Sequence, residues 1–194
     1  MTPEEYYRDY MNRVMKAIDN LPMDKLVAIT NALLKAREND STVFVCGNGG
    51  SASTASHMVC DLGKGANVDG LKRFKVICLN DNIPMITAWS NDADYEQAYV
   101  QQLENFLREG DLVIGISGSG NSANVLNAIQ FANDHGATTI GMTGFQGGKL
   151  VSMAQIYLVV PSNNMERIED IHLVIEHMVK LFIKLHLEEG QGST

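Results

Sequence analysis

Five short apolar runs, alternating with helical patterns, constrain the fold of this chain more than any other feature of its sequence. Each run is almost continuously apolar, which is typical of strands buried on both faces of a sheet. The runs are TVFVC (42–46), FKVICL (74–79), DLVIGIS (111–117), TTIGM (138–142) and IYLVV (156–160), and the helical patterns between them lie near 51–64, 94–107 and 122–134. This alternation predicts a three-layer α/β/α sandwich with about five parallel strands.

The segments before and after this alternation predict further helices. Residues 1–40 read as a helical hairpin, whose start at Thr2-Pro3-Glu4-Glu5 combines an N-cap residue, a proline at the first helical position and a capping-box glutamate. A long amphipathic pattern from about 165 to 188 predicts a C-terminal helix. The 194 residues suffice for one hydrophobic core. We therefore expect a single domain, made of the hairpin, an α/β core over 41–188 and a flexible tail over 189–194.

The helical hairpin carries more aromatic and methionine side chains than packing on one face of a sheet requires. These side chains are Tyr6, Tyr7, Tyr10, Met11 and Met15. Two interpretations stay open. The residues are either ordinary core or a subunit interface, because exposed apolar stripes of this kind are usually covered.

Composition and charge exclude several classes of protein. The formal net charge of −8 argues against binding to nucleic acid, which requires clustered cations. The sequence contains no apolar run of roughly 18 residues, as a membrane span needs, and its N-terminus has neither the basic nor the apolar region of a signal peptide. Cys46, Cys60 and Cys78 are odd in number and lack C-x-x-C spacing, which favours reduced thiols. We expect a cytoplasmic protein with no membrane association and no direct nucleic-acid partner.

Two turns of the predicted sheet have similar amino-acid sequences. GNGGSA (47–52) follows the first strand and GSGNSA (118–123) follows the third, and the two agree at Gly, Gly, Ser and Ala. Glycines let backbone N–H groups approach a ligand, and the helix start that follows favours negative charge. In a parallel sheet both turns lie at the carboxyl ends of strands, where ligands bind. The pair predicts a site for a small oxyanionic ligand, with a phosphate at one turn and a polyol at the other. The alternative is that glycine and serine only cap helices and turn corners.

A dinucleotide site is a weaker interpretation of the first turn. Gly47, Gly49 and Ala52 do fit the fingerprint G-x-G-x-x-G/A. The acid that binds ribose is expected about 20 residues further on, whereas here the second strand ends at Leu79 and Asp81 lies about 30 residues beyond the glycines. A phosphate loop of the type G-x-x-x-x-G-K-[ST] is absent from the sequence. We expect no nucleotide cofactor.

Several motifs together resemble the sugar isomerase (SIS) domain family, and specifically its phosphoheptose isomerase branch. They are CGNGGSA, SND, GISGSGNSANV, MTGFQGGKL and RIEDIH, within a similarity that runs from about 42 to 185. The resemblance implies an aldose–ketose isomerase that interconverts sedoheptulose 7-phosphate and a heptose 7-phosphate. It also implies a homotetramer whose site is completed across subunits.

The resemblance also assigns substrate-binding positions. They are Asn48, Gly49, Gly50 and Ser51 in the first turn, Asn91 and Asp92 in a loop that approaches the sugar, Ser117, Gly118, Ser119 and Ser122 around the phosphate, and Glu169. The family commonly has threonine where this chain has Gly118. One hydroxyl is therefore missing here, although the backbone donor is kept.

Four positions carry catalysis or a Zn²⁺ ion according to the same resemblance. They are His57, Asp61, Glu169 and His177, where enzymes of the branch usually have His, Glu, Gln and His. His57 and Asp61 are four residues apart and share a helix face. Glu169 and His177 are eight apart, about 80° around a helix, so they could converge. Asp61 as base and His177 as acid would serve proton transfer through an enediol, or all four could ligate Zn²⁺.

Three alternatives remain at this point. His172, three residues from Glu169, could replace His177 as the functional histidine. The chain could be a non-catalytic phosphosugar-binding regulator or a replication-initiator-associating adaptor of the same family, although an adaptor would have no reason to keep the acid–histidine set. It could also act on another sugar phosphate, such as a six-carbon one.

Overall fold

A computed structural model describes residues 1–191 and contains one sheet of five parallel strands in the order β2-β1-β3-β4-β5. The strands are β1 (Thr42–Gly47), β2 (Lys75–Cys78), β3 (Leu112–Ile116), β4 (Thr138–Thr143) and β5 (Ile156–Val159). Every strand falls on one of the five apolar runs, and all neighbouring strands pair in parallel. The predicted fold class is therefore confirmed.

Helices cover both faces of this sheet. They are α1 (Pro3–Asp19), α2 (Met23–Glu38), α3 (Gly50–Cys60), α4 (Ile83–Asp92), α5 (Val100–Phe106), α6 (Ala123–Asp134), α7 (Leu150–Met153) and α8 (Met165–Gln191). The core on one face is built with α1, α2, α3 and α8, and the core on the other with α5, α6 and α7. The capping box at the start of α1 is present, since Thr2 Oγ1 accepts from the Glu5 N–H at 3.2 Å. Within the described residues, no helix is both long and apolar enough to cross a membrane.

The helix predictions need four corrections. The pattern near 51–64 is α3 followed by a turn of π-helix over Asp61–Gly65, and the pattern near 94–107 is a 3-10 turn over Tyr95–Gln97 followed by α5. Helix α4 was not predicted, because it buries none of its residues and so shows no core stripe. Helix α8 runs on to Gln191, three residues past the predicted end, and the rest of the predicted tail, 192–194, lies outside the described residues.

The strand order places a crevice between β1 and β3. The chain leaves β1 into α3 on one face of the sheet and leaves β3 into α6 on the other face. Where neighbouring parallel strands send their helices to opposite faces, the turns at their carboxyl ends separate and ligands bind between them. The two turns of similar sequence border this crevice.

His172 is a core residue, which answers the question of whether it could replace His177. Its side chain is fully buried, and Nε2 lies 3.2 Å from the carbonyl oxygen of Thr143 at the end of β4. Nδ1 has no hydrogen-bond partner among the described residues. Burial lowers the pKa of His172 to about 4.

We expect this histidine to make the fold acid-sensitive. Its pKa is lower in the folded protein than the ordinary value of 6.5, so its contribution to stability is present above pH 6.5 and is lost as the pH falls toward 4. The difference corresponds to about 3 kcal/mol of unfolding free energy. Urea unfolding between pH 7 and pH 4 should show a shallower decline for His172→Gln than for the unchanged protein. Parallel declines for the two proteins would rule out this histidine as a cause.

Candidate active site

The first turn, 47–51, presents uncovered backbone donors at the start of α3. Gly49 is the N-cap of this helix with φ 56°, and a Cβ added to it would meet nothing within 4 Å. No side chain caps the helix, so the first N–H groups of α3 are open to a ligand. Ser51, in the first turn of the helix, is buried at 4% exposure. The turn has the donors of an oxyanion or hydroxyl site.

The second turn, 117–122, supplies hydroxyl groups. Ser117 Oγ and Ser122 Oγ lie 3.0 Å apart, and Ser119 Oγ accepts from the Asn121 N–H at 3.2 Å. Ser122 is the N-cap of α6, yet its side chain makes no capping hydrogen bond. Its hydroxyl and the helix N-terminus are thus both available for an anion.

A pair of asparagines joins the two turns into one site. Asn48 Nδ2 donates to Asn124 Oδ1 at 2.8 Å, and Asn124 Nδ2 donates to Asn48 Oδ1 at 3.0 Å. Asn48 Oδ1 also accepts from the hydroxyl of Tyr95 at 2.7 Å. Because Asn124 lies in the first turn of α6, this pair fixes the start of α6 against the end of β1. The two turns are therefore structurally linked, and we call them the first cradle (47–51) and the second cradle (117–122). This link favours the ligand-binding interpretation over two independent corner turns.

The side chain of Met165 packs directly against Gly118. A Cβ at this position would overlap Sδ of Met165 and would lie 3.7 Å from Ile168 Cγ2. Met165 therefore fills the space into which a side chain at 118 would project. The wall of the second cradle here is a thioether, with the backbone of Gly118 exposed to it.

Asn91 and Asp92 do not form the predicted loop. They are the last two residues of α4, both are exposed, and Asn91 Nδ2 donates to Asp92 Oδ1 at 2.8 Å. The buried Tyr99 hydroxyl donates to Asn48 Oδ1 in the first turn at 2.9 Å, and so, closer to the SND motif, does the hydroxyl of Tyr95, three residues after Asp92. The sequence signal for it is an aromatic hydroxyl next to the SND motif.

An acid–histidine group lies between α8 and the C-terminal end of α3. It consists of His57, Asp61, Glu176 and His177, whose ligand atoms all lie within 4.8 Å of one another. The two histidine Nε2 atoms are 3.0 Å apart, and each lies within 4.0 Å of Asp61 Oδ2. The structure thus brings together three of the four predicted residues.

Glu176 is the member of this group that the sequence analysis missed. It is 1% exposed, and neither carboxylate oxygen has a hydrogen-bond partner among the described residues. Burial, together with the Asp61 carboxylate, raises the pKa of Glu176 to about 7, while Lys180 acts in the opposite direction. A charged residue next to the buried Ile175 was the signal available.

Glu169 lies elsewhere, which corrects its predicted placement with the two histidines. Its carboxylate is packed against Gly50 at the start of α3, so that a Cβ on Gly50 would overlap it. The pKa of Glu169 is raised by burial and by the neighbouring carboxylates of Glu166 and Asp170. Glu169 thus borders the first cradle. Its role in substrate binding remains a prediction.

Lys180 holds Asp61 in position. Its Nζ lies 3.3 Å from Asp61 Oδ2, and both side chains are 18% exposed. The lysine reaches Asp61 by passing Gly65, where a Cβ would lie 3.1 Å from Nζ and still closer to Cε. The glycine and the lysine together fix the shorter carboxylate of aspartate at this position.

The chain as a whole is similar to several known proteins. A family model described as SIS domain matches residues 6–144. The phosphoheptose isomerase of Aliarcobacter butzleri (strain RM4018) is 38% identical over 172 residues, which cover 88% of this chain and 89% of that protein. The solved phosphoheptose isomerase from Francisella tularensis has a TM-score of 0.85 at 30% identity, covering 95% of this chain and all of that one. The one from Neisseria gonorrhoeae has a TM-score of 0.86 at 28% identity, covering 94% and 98%.

Proposed function

Since this chain belongs to the SIS domain family, in its phosphoheptose isomerase branch, we propose that it interconverts sedoheptulose 7-phosphate and a D-glycero-heptose 7-phosphate. The observation that carries this proposal is the pair of cradles joined by Asn48 and Asn124, with an acid–histidine group between α8 and the C-terminal end of α3. A phosphosugar needs both kinds of site, because one end is a dianion and the other reacts.

The phosphate belongs at the second cradle. The hydroxyls of Ser117, Ser119 and Ser122 and the N-terminus of α6 can donate to its oxygens together. The sugar hydroxyls then extend toward the first cradle, where Asn48, Ser51 and the first N–H groups of α3 supply hydrogen bonds.

The reaction moves a proton between two adjacent carbons. From the ketose, the Asp61 carboxylate takes a proton from C1 while His177 gives one to the carbonyl oxygen at C2, and an enediol forms. Returning a proton to C2 and removing one from the hydroxyl at C1 completes the aldose and regenerates both groups. The Lys180 ammonium, 3.3 Å from Asp61 Oδ2, keeps this carboxylate oriented for the first of these steps.

The acid–histidine group also fits a Zn²⁺ ion, which accepts imidazole and carboxylate ligands. The buried oxygens of Glu176, which accept no hydrogen bond from residues 1–191, are the structural sign that a cation suits this place. As an alternative to their roles as base and acid, Asp61 and His177 would hold the ion together with His57, and a bound Zn²⁺ would then supply Lewis-acid polarisation of the carbonyl oxygen. No nucleotide cofactor is proposed.

We propose a homotetramer in which subunits complete one another's sites. Apolar side chains on α1 are exposed rather than buried in the core, with Tyr7 at 62% and Met11 at 54% exposure. On one chain, moreover, His57 lies seven residues from Gly50, about 10 Å along α3. A neighbouring subunit that covers α1 could bring one chain's acid–histidine group to another chain's cradles. Light scattering of the purified protein measures this assembly directly.

The cytoplasm is the proposed location. All three cysteines are free thiols, and Cys46 and Cys78 are buried, as suits a reducing compartment. A net charge of −8 is consistent with a small-molecule substrate and no nucleic-acid partner.

The serines of the second cradle give the test of substrate binding. Replacing Ser122 by alanine should raise KM for sedoheptulose 7-phosphate by roughly 10-fold or more, because a hydrogen bond to a charged group is lost, while kcat changes little. Ser152→Ala on α7 is the matched control, since that hydroxyl donates to the carbonyl of Lys149 and not to a residue of either turn. An unchanged KM for Ser122→Ala would show that the phosphate does not bind at this turn.

A further inference from the structure

We propose that Glu176, rather than Glu169 of the same chain, completes the metal site, and that Glu169 contacts the sugar at the start of α3. The second half of this statement rests on the proposed isomerase function. The first half concerns metal binding alone and can be measured without a substrate.

The distances within the group suit a tetrahedral ion. Ligand atoms about 2.0–2.1 Å from a tetrahedral Zn²⁺ are about 3.3 Å from one another. Glu176 Oε2 lies 3.5 Å from His177 Nε2 and 4.0 Å from His57 Nε2, and those two nitrogens are 3.0 Å apart. Small side-chain rotations bring such atoms to a common centre.

The state of Glu176 is an independent sign that something should bind there. The side chain is 1% exposed, so it is almost out of contact with water, and none of the described residues donates a hydrogen bond to either oxygen from a nitrogen. Its near neighbour Asp61 is a second acid, and the nearby ammonium of Lys180 pairs with Asp61 Oδ2 at 3.3 Å. Burying a carboxylate without such partners is costly. A divalent cation between the two acids and the two histidines removes that cost.

Within one chain, the position of Glu169 on α8 argues against its binding the same ion as His177. Eight residues separate it from His177, which is about 12 Å along a helix axis. Glu176 follows Glu169 by seven residues, or about two turns, so both acids face α3 but at different heights. Glu169 contacts Gly50, where α3 begins, and Glu176 lies near His57, in the last turns of α3.

This placement gives the two acids separate tasks. At the start of α3, Glu169 borders the uncovered N–H groups of the first cradle and can accept hydrogen bonds from sugar hydroxyls. The glutamine usual at this position in the branch is replaced by an acid here, while the ligand role is taken over two turns further along α8.

Zinc titration of the metal-depleted full-length protein tests the assignment. Affinity is measured by competition with a chromophoric chelator for the unchanged protein and for Glu176→Gln, Glu169→Gln and Glu166→Gln, the last being an exposed acid on the same helix. We expect one Zn²⁺ per chain, a loss of at least about 100-fold in affinity for Glu176→Gln, and values within about 3-fold of the unchanged protein for the other two. Co²⁺ in place of Zn²⁺ should give an intense tetrahedral absorption band that Glu176→Gln weakens.

The outcomes separate this inference from the proposed function. Equal affinities for Glu176→Gln and the unchanged protein, or a loss confined to Glu169→Gln, would overturn the assignment, and so would the absence of any zinc binding. None of these results touches the isomerase proposal, which turnover of sedoheptulose 7-phosphate decides. An unchanged KM for Glu169→Gln would overturn the sugar contact alone. Far-ultraviolet circular dichroism of each variant confirms that the comparison is between folded proteins.

Discussion

Replacing Asp61 by asparagine is expected to lower kcat for sedoheptulose 7-phosphate by about 10²–10⁴-fold, the range typical of a lost general base. The amide has the size of the carboxylate but cannot take up a proton at neutral pH. KM should change much less, because the two cradles that hold the substrate are formed by other residues. Steady-state kinetics of product formation, with the zinc content of each preparation measured in parallel, gives both quantities.

Asp69→Asn is the matched control for this substitution. It makes the same chemical change at an exposed position in the loop before β2, and it should leave both kinetic constants unchanged. If Asp61→Asn kept full activity, Asp61 would not be the base. Glu176, whose pKa of about 7 also suits proton transfer near neutrality, would then be the next residue to replace.

Replacing Gly120 by alanine is expected to lower the free energy of unfolding by about 3 kcal/mol or more. Gly120 has φ 65°, which side chains other than glycine disfavour, and an added Cβ would overlap the carbonyl oxygen of Gly147. It would also lie 2.6 Å from the carbonyl carbon of Gly147 and 2.8 Å from Thr143 Oγ1. Because the obstacle is backbone, the second cradle itself must move. Thermal unfolding should show a Tm lowered by roughly 6–12 °C, together with weakened binding of sedoheptulose 7-phosphate.

Gly110→Ala separates the two causes of this loss. Gly110 also has a positive φ, 85°, but a Cβ there meets nothing within 4 Å. Only the backbone penalty of about 1–2 kcal/mol should remain, with no effect on ligand binding. Equal losses of stability in the two variants would mean that the contact with Gly147 contributes nothing.

The layers and strands of this fold could be predicted because burial on both faces leaves a direct trace in the sequence. Phe44, Ile114 and Ile140 are all fully buried, and each lies in a continuous apolar run. The two cradles could be predicted for a similar reason, since a turn that must expose backbone N–H groups requires glycine, as the positive φ of Gly49 and Gly120 shows. Helix α4 could not be found in this way, because it has no buried residue. Its signals were local ones, the Asn82 side chain that caps it and Pro84 in its first turn.

The acid–histidine group shows where sequence reasoning stops. Spacing along α8 gave the direction in which Glu169 and His177 point, but not which part of α3 each meets. That depends on how two long helices are aligned, with Glu169 against Gly50 and His177 against His57. Glu176 was overlooked because it sits within the apolar stripe of α8, between Ile175 and Val179. A buried acid in such a stripe is itself a reason to look for a functional site.

Incubation of the purified protein with sedoheptulose 7-phosphate, followed by identification of the sugar phosphates by nuclear magnetic resonance, tests the central claim most directly. The account predicts that a D-glycero-heptose 7-phosphate accumulates, that the same mixture is reached from either sugar, and that a chelator slows the approach. Absence of any product, while thermal shift shows that sedoheptulose 7-phosphate binds, would contradict the account. Such a result would identify the protein as a non-catalytic phosphosugar-binding module with the same two cradles.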